Sequence, residues 1–209
     1  MKPPSKPLNF EEFPINHETI LAFSYTSGTT GPPKAALISH GNLLCFLEVA
    51  ANVDSKSTPD DVYLSYLPLP HIMERLSIQS LAQAGASIIA YCGDFFKIID
   101  DAQFIKPTMF VGPPRIYNRL ADRVKTKFDE ATGVKKCILN CGVNSKTNSA
   151  KDGNYKSGIY DPILFSKVRD VLGGKVEVML SGGAPIKPEV AEFMKVIMCC
   201  PLLEGYGQT

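Results

Sequence analysis

The sequence predicts an α/β fold, a mostly parallel sheet with flanking helices, and three observations carry this. Short apolar runs that read as strands alternate with longer spans whose apolar residues recur at helical spacing, the pattern of parallel strands joined by crossover helices. Glycine and proline fall between these spans, as at Gly85, Gly112-Pro113-Pro114 and Gly173-Gly174. The 209 residues, 44% of them apolar, are enough to build a substantial core.

Residues 1–16 are rich in proline and polar groups, with Phe10, Phe13 and Ile15 as anchors, and are expected to run extended. Order is expected over 17–209. Residues 20–25 read as a buried strand entering a polar loop and 35–38 as the strand leaving it, so the loop closes a long hairpin. Ser39, His40, Gly41 and Asn42 offer a helix start. Leu43, Phe46, Leu47 and Ala50 then follow at helical spacing, predicting a helix to about residue 53. A polar turn at 55–61 precedes a strand at 62–67, which Pro68 and Pro70 stop. Ile72, Leu76, Ile78, Leu81 and Ala82 predict a helix over 72–84 that Gly85 ends, and 87–91 reads as the next strand. Glu74 and Arg75 read as a local ion pair or as helix-start charges.

A second such unit places a helix at 95–104 and a strand at 107–111. Proline at the first turn, where its missing N–H costs nothing, then opens a helix from Pro113-Pro114-Arg115 to about residue 131. Residues 142–158 hold almost no apolar side chain and predict a mobile excursion. A helix at 162–172, a stop at Gly173-Gly174, a strand at 176–180, a helix at 188–197 and a short strand near Leu202 complete the chain.

Composition excludes several classes. Twenty-two basic against 21 acidic side chains leave a net charge of +1, so no global field favours nucleic acid or an anionic membrane, and any anion site must be local. No run of about 18 apolar residues could span a bilayer, and the first residues lack the apolar core of a signal peptide. A cytoplasmic location is the expectation. Cys45, Cys92, Cys137, Cys141, Cys199 and Cys200 are scattered through apolar segments and read as reduced thiols; Cys137 and Cys141 lack histidines at zinc spacing.

The most informative stretch is Tyr25-Thr26-Ser27-Gly28-Thr29-Thr30-Gly31-Pro32-Pro33-Lys34. Backbone N–H groups beside Gly28 and Gly31 can approach an anion closely. The hydroxyls of Thr26, Ser27, Thr29 and Thr30 add short hydrogen bonds, and Lys34 adds a positive charge. This is a phosphate cradle, but not that of a P-loop NTPase. Lys34 follows proline instead of glycine, and it precedes Ala35 and a strand instead of a helix. A dinucleotide fingerprint is absent too.

This stretch, with the trailing Ser39-His40-Gly41-Asn42-Leu43, resembles the signature of the adenylate-forming acyl-CoA synthetases, except that Ala35 stands where that family normally has glycine. Leu67-Pro68-Leu69-Pro70-His71-Ile72-Met73-Glu74-Arg75 and Pro107-Thr108-Met109-Phe110-Val111-Gly112-Pro113-Pro114-Arg115 resemble two segments of the long-chain fatty acid branch. Leu180-Ser181-Gly182-Gly183-Ala184-Pro185 and Gly205-Tyr206-Gly207-Gln208-Thr209 resemble two more, in family order.

The resemblance implies the central part of an adenylate-forming N-terminal domain over 17–209. Its implied reaction is activation of a long-chain fatty acid by ATP to an acyl-adenylate, which coenzyme A then captures. Thr26, Ser27, Gly28, Thr29, Thr30, Gly31 and Lys34 would serve the β- and γ-phosphates. His71 would lie between the acyl carboxylate and the phosphates. Gly183, Ala184 and Pro185 would lie beside the adenine and the acyl chain; Gly205, Tyr206, Gly207 and Gln208 complete the adenine side, with Tyr206 stacked on the ring and Thr209 reaching phosphate. Magnesium would be held by a carboxylate following residue 209, and the C-terminal domain with its adenylation lysine is likewise expected outside 1–209. The partners implied are fatty acid, ATP, coenzyme A and the remaining parts of the same enzyme. The implied location is cytoplasmic, or peripheral to the endoplasmic reticulum or another intracellular membrane. A ligase for another carboxylic acid, or a non-catalytic nucleotide- or acyl-binding module, are the alternatives.

Overall fold

The computed structural model describes residues 14–26, 34–52, 57–130, 132–151, 153–156 and 161–207. The chain forms two compact units, one up to Val53 and one over Asp54–Gln208.

In the first unit, β1 (Ile20–Thr26) pairs antiparallel with β2 (Lys34–Ser39), as expected, with Phe23 opposite Leu37 and Thr26 opposite Lys34. It is not the buried strand expected: Ile20, Phe23 and Tyr25 are exposed, and of residues 20–25 only Ser24 is buried. Helix α1 (His40–Ala51) begins directly after β2. The Ser39 hydroxyl accepts from the Asn42 N–H at 3.2 Å while Asn42 Oδ1 accepts from the Ser39 N–H at 3.0 Å, so two orphan donors of the first turn are satisfied reciprocally. Gly41 between them has a steric reason: its N–H donates to the His17 carbonyl at 2.8 Å, and an added Cβ would meet that same oxygen at 2.8 Å.

The second unit is a five-stranded sheet in the order β4-β3-β5-β6-β7, and every pairing is parallel. Its strands are β3 (Val62–Ser65), β4 (Ser87–Ala90), β5 (Met109–Gly112), β6 (Val178–Gly182) and β7 (Leu202–Gly205). The crossovers are α2 (Ile72–Ala84) after β3, α3 (Ile98–Ile105) after β4, α4 (Pro114–Asp129) and α5 (Gly133–Lys151) after β5, and α7 (Pro188–Met198) after β6, with a short α6 (Ser166–Arg169) ahead of β6. Helix α2 has the predicted bounds and ends at Gly85. Strands β5 and β6 begin two residues later than predicted and run on through Gly112 and Gly182. Pro107 has no N–H to give the ladder, so pairing with β6 starts after it.

Alternate residues of the strands face opposite sides, and both sides are covered. Tyr63, Val111 and Leu180 face α2 with Leu81 and Ile78. Leu64, Phe110, Met179 and Leu202 face the larger cluster built with Tyr117, Leu120 and Val124 of α4 and Met194 and Ile197 of α7. Each fully buried side chain of this size contributes about 1.5–3 kcal/mol.

One expectation is overturned. The segment predicted as a mobile excursion is largely α5, a 19-residue helix. Its buried side is Leu139, half-buried Val143, Lys146 and half-buried Ala150, at helical spacing, with the aliphatic stem of Lys146 taking the place of an apolar residue. Packing against the larger cluster makes this polar sequence helical. The predicted helix at 162–172 is also broken, into a wide π-type turn over Asp161–Phe165, then α6 and a final 3₁₀ turn over Asp170–Leu172. All six cysteines are free thiols. Among the described residues, no helix is long and apolar enough to cross a membrane.

Candidate functional site

In parallel α/β sheets ligands bind at the carboxyl ends of the strands, where loops and helix starts converge. In the second unit that edge carries His71 after β3, Gly182-Gly183 at the end of β6 and Gly205-Tyr206 at the end of β7. His71 is the N-cap of α2, and its Nδ1 accepts from the Met73 N–H at 3.3 Å. A neutral ring that accepts at Nδ1 carries its proton on Nε2. That Nε2 lies 3.8 Å from the point where a Cβ on Gly183 would stand. The ring therefore offers an N–H donor toward the glycine end of β6.

The glycines make room there. Gly182 pairs with Gly205 across β6 and β7. A Cβ on Gly182 would stand 2.7 Å from Met73 Sδ and 3.3 Å from the Gly205 carbonyl, and Gly183 turns the chain out of the strand with φ 83°. A side chain at Gly182 would therefore push the end of Met73 aside and crowd the Gly205 carbonyl. His71, Gly183, Ala184, Pro185, Gly205, Tyr206 and Gly207 are all exposed, and Tyr206 is 92% exposed, so its ring face is open for stacking.

Hydroxyl groups lock the strands beneath this edge. Tyr117 Oη donates between the carbonyls of Phe110 at 2.8 Å and Leu180 at 3.0 Å, joining β5 to β6, and Tyr66 Oη donates to the Val111 carbonyl at 2.5 Å. Burial pushes the phenols of Tyr63, Tyr66 and Tyr117 well above the usual range, so they stay neutral donors.

Glu74 differs from its sequence reading. It stands in the first turn of α2, where a helix-start charge was expected, but it is fully buried: Oε2 accepts from Tyr63 Oη at 2.6 Å and Oε1 from Ser65 Oγ at 2.5 Å. Those two hydroxyls sit at alternate positions of β3, facing α2, and this period-two pair of polar residues was the available signal. The carboxylate thereby pins the first turn of α2, and with it His71, onto β3. Replacing Glu74 by alanine is expected to cost about 2–3 kcal/mol, because two hydroxyls lose their acceptor. Glutamine, which keeps one acceptor oxygen, is expected to cost less. Urea unfolding of both variants measures this; equal midpoints for wild type and Glu74→Ala would remove the pinning role.

Of the phosphate loop, the structure describes the two ends, Thr26 and Lys34, paired across the mouth of the hairpin. Ser27, Gly28, Thr29, Thr30 and Gly31 lie outside the described residues, as do Gln208 and Thr209. The segment is flanked by two strands, as predicted, whereas a P-loop leads into a helix.

The family model of the AMP-binding enzymes matches residues 2–209. Long chain acyl-CoA synthetase 7, peroxisomal, of Arabidopsis thaliana is 38% identical over 196 residues, covering 94% of this chain and 28% of that protein. Long-chain-fatty-acid–CoA ligase 5 of Rattus norvegicus is 38% identical over 207 residues, covering 96% of this chain and 30% of that protein. The chain thus spans about three-tenths of the length of these relatives. Among solved structures, the didomain of a carboxylic acid reductase from Segniliparus rugosus in complex with AMP superposes with a TM-score of 0.67 at 23% identity, over 92% of this chain and 24% of that one. A malonyl-CoA ligase with methylmalonyl-CoA and AMP bound gives 0.61 at 22% identity, over 93% of this chain and 34% of that one. These likenesses establish the fold. The chain belongs to the family of AMP-binding enzymes.

Proposed function

We propose that the chain is the central part of the adenylation domain of a long-chain fatty acid–CoA ligase, with both compact units belonging to that domain. The observation that supports this best is the meeting of His71, Gly183 and Gly205 at the carboxyl edge of the parallel sheet. The names of the relatives, all fatty or long-chain acyl-CoA synthetases, point the same way.

In this reading a fatty carboxylate attacks the α-phosphorus of ATP. A bond forms between carboxylate oxygen and phosphorus, and the bond to pyrophosphate breaks. The nucleophile is already ionised at neutral pH, so no general base is needed; alignment and charge stabilisation are. Thr26, Ser27, Gly28, Thr29, Thr30, Gly31 and Lys34 hold the β- and γ-phosphates. His71 donates from Nε2 between carboxylate and phosphate. Gly183, Ala184 and Pro185 flank the adenine and the start of the acyl chain, and Gly205, Tyr206, Gly207 and Gln208 face the ring, with Thr209 on phosphate. Coenzyme A is the second acceptor, and magnesium accompanies ATP; among the described residues no three His, Cys, Asp or Glu side chains group closely enough to hold a metal. The enzyme works in the cytoplasm or at the surface of an intracellular membrane.

The test is ATP–pyrophosphate exchange by the full-length protein across fatty, medium-chain and aryl acids. Exchange driven best by long-chain acids is the expected result. Exchange with aryl acids alone would transfer the chain to another ligase, and nucleotide binding without exchange would make it a binding module. Lys34→Ala is expected to raise the KM for ATP about 10- to 100-fold, the loss of one charge-assisted hydrogen bond. An unchanged KM would sink the phosphate-loop assignment.

A further inference from the structure

A buried group outside the candidate site joins α5 to the end of α7. Lys146 of α5 is 2% exposed; its Nζ pairs with Asp161 Oδ1, lies 2.9 Å from Cys199 Sγ and stands 4.8 Å from the centre of the Phe165 ring. Cys199 caps α7 in the left-handed conformation, φ 57°, and is 3% exposed. Burial pushes its thiol up, and Lys146 beside it pulls it back. An open cavity of about 310 Å³ is lined by Thr147 and Ala150 of α5 and by Glu192, Lys195 and Val196 of α7. Val196, one of the lining residues, also accepts from the Cys199 thiol through its carbonyl, at 3.7 Å.

We propose that Lys146 and Cys199 are a redox modification site, at which hydrogen peroxide closes a covalent nitrogen–oxygen–sulfur bridge between α5 and the end of α7. Peroxide first oxidises the thiol: its O–O bond breaks, one oxygen joins sulfur as a sulfenic acid, and one water leaves. Asp161 takes a proton from the Lys146 ammonium and frees the amine lone pair. A second peroxide accepts the remaining two electrons as the N–O bond forms. The amine loses one N–H and the sulfenic acid its O–H, and two more waters leave. Thiol plus amine plus two peroxides thus give the bridge and three waters. One oxygen spans the observed nitrogen–sulfur separation, whereas a direct N–S bond would require the atoms to move much closer. Four electrons from dithiothreitol return thiol, amine and one water. The bridge would clamp α7, which leads through Pro201 into β7 and its Gly205. None of this depends on the acid that the enzyme activates.

The experiment is peptide mass spectrometry of the intact, folded protein after hours in excess peroxide. The expected result is a cross-linked pair of peptides containing Lys146 and Cys199, about 14 Da heavier than their sum, rising from undetectable to abundant and removed by dithiothreitol. Cys199→Ser and Lys146→Arg should each abolish it. Cys199 oxidised to sulfinic acid with Lys146 untouched, a cross-link about 2 Da lighter than the sum, or no change at either residue would each overturn the proposal. The wild-type measurement decides even if a variant fails to fold.

Discussion

Raising the pH past about 10 is expected to unfold the second unit cooperatively, with stability falling by about 4 kcal/mol per pH unit. Tyr63, Tyr66 and Tyr117 have folded pKa values well above the usual phenol value of about 10, first because they are buried and, for Tyr63 and Tyr66, also because Glu74 is close. In the unfolded chain they ionise near that usual value. Above it the folded state binds more protons than the unfolded state, so the sign is a loss of stability as pH rises. Each such group contributes up to about 1.4 kcal/mol per unit, and three act together. Cys200, pushed up to about 12 by burial, adds to the same slope from the thiol range upward. A domain with about 5–15 kcal/mol of stability is therefore expected to unfold within a few pH units. Tyrosinate absorbance and circular dichroism, followed together, measure this. The buried phenols should ionise in the same step that loses the helical signal. Smooth titration of all the tyrosines with the helical signal intact would mean these hydroxyls are not buried as described.

The placement of those phenols bears on the site as well as on stability. Tyr117 and Tyr66 hold the carbonyl ends of β5 and β6, directly beneath the turn at Gly183, and Tyr63 holds Glu74 and so α2. Beneath the edge that presents His71 and the glycines, the bonds from Tyr66 and Tyr117 to backbone carbonyls join neutral groups in a dry interior and do not change across the physiological pH range.

What the sequence made legible follows from how local each signal is. The hairpin, the start of α1 at Ser39 and the bounds of α2 rest on caps, glycine stops and short apolar runs, all within a few residues of the element they define. His71 was legible in the same way, as a side chain placed just past two prolines that stop a strand. Helix α5 was not, because from residue 142 onward its inward side is written with Val143, Lys146 and Ala150, a single large apolar residue among them, and only packing against partner elements makes those residues interior. The burial of Glu74 escaped for a related reason: its partners Tyr63 and Ser65 lie 11 and 9 residues away on another element. Likewise, the closeness of Gly182 to Gly205 needs β7 to lie beside β6, a choice of sheet order that no local pattern encodes. The hydroxyl-rich loop between Thr26 and Lys34 was the clearest motif in the sequence, and of it the structure describes the paired ends.

In the proposed reading His71 has two separable duties, and two substitutions should part them. Its Nδ1 caps α2 through the Met73 N–H, and its Nε2–H faces the end of β6 at Gly183. Alanine removes both, so His71→Ala is expected to lose about 0.5–2 kcal/mol of stability. It should also lose about 100- to 1000-fold in acyl-adenylate formation, the usual effect of deleting one donor from a developing charge. Asparagine is among the best N-capping residues and can accept from the same N–H through its side-chain oxygen, but its shorter side chain leaves no donor where Nε2 stood. His71→Asn should therefore melt like the wild type and still fail in pyrophosphate exchange by nearly the full factor. If it instead exchanges at the wild-type rate, the ring is only a cap. Catalytic stabilisation at this edge would then have to come from the backbone N–H groups around Gly183, where the left-handed turn points the chain out of the sheet.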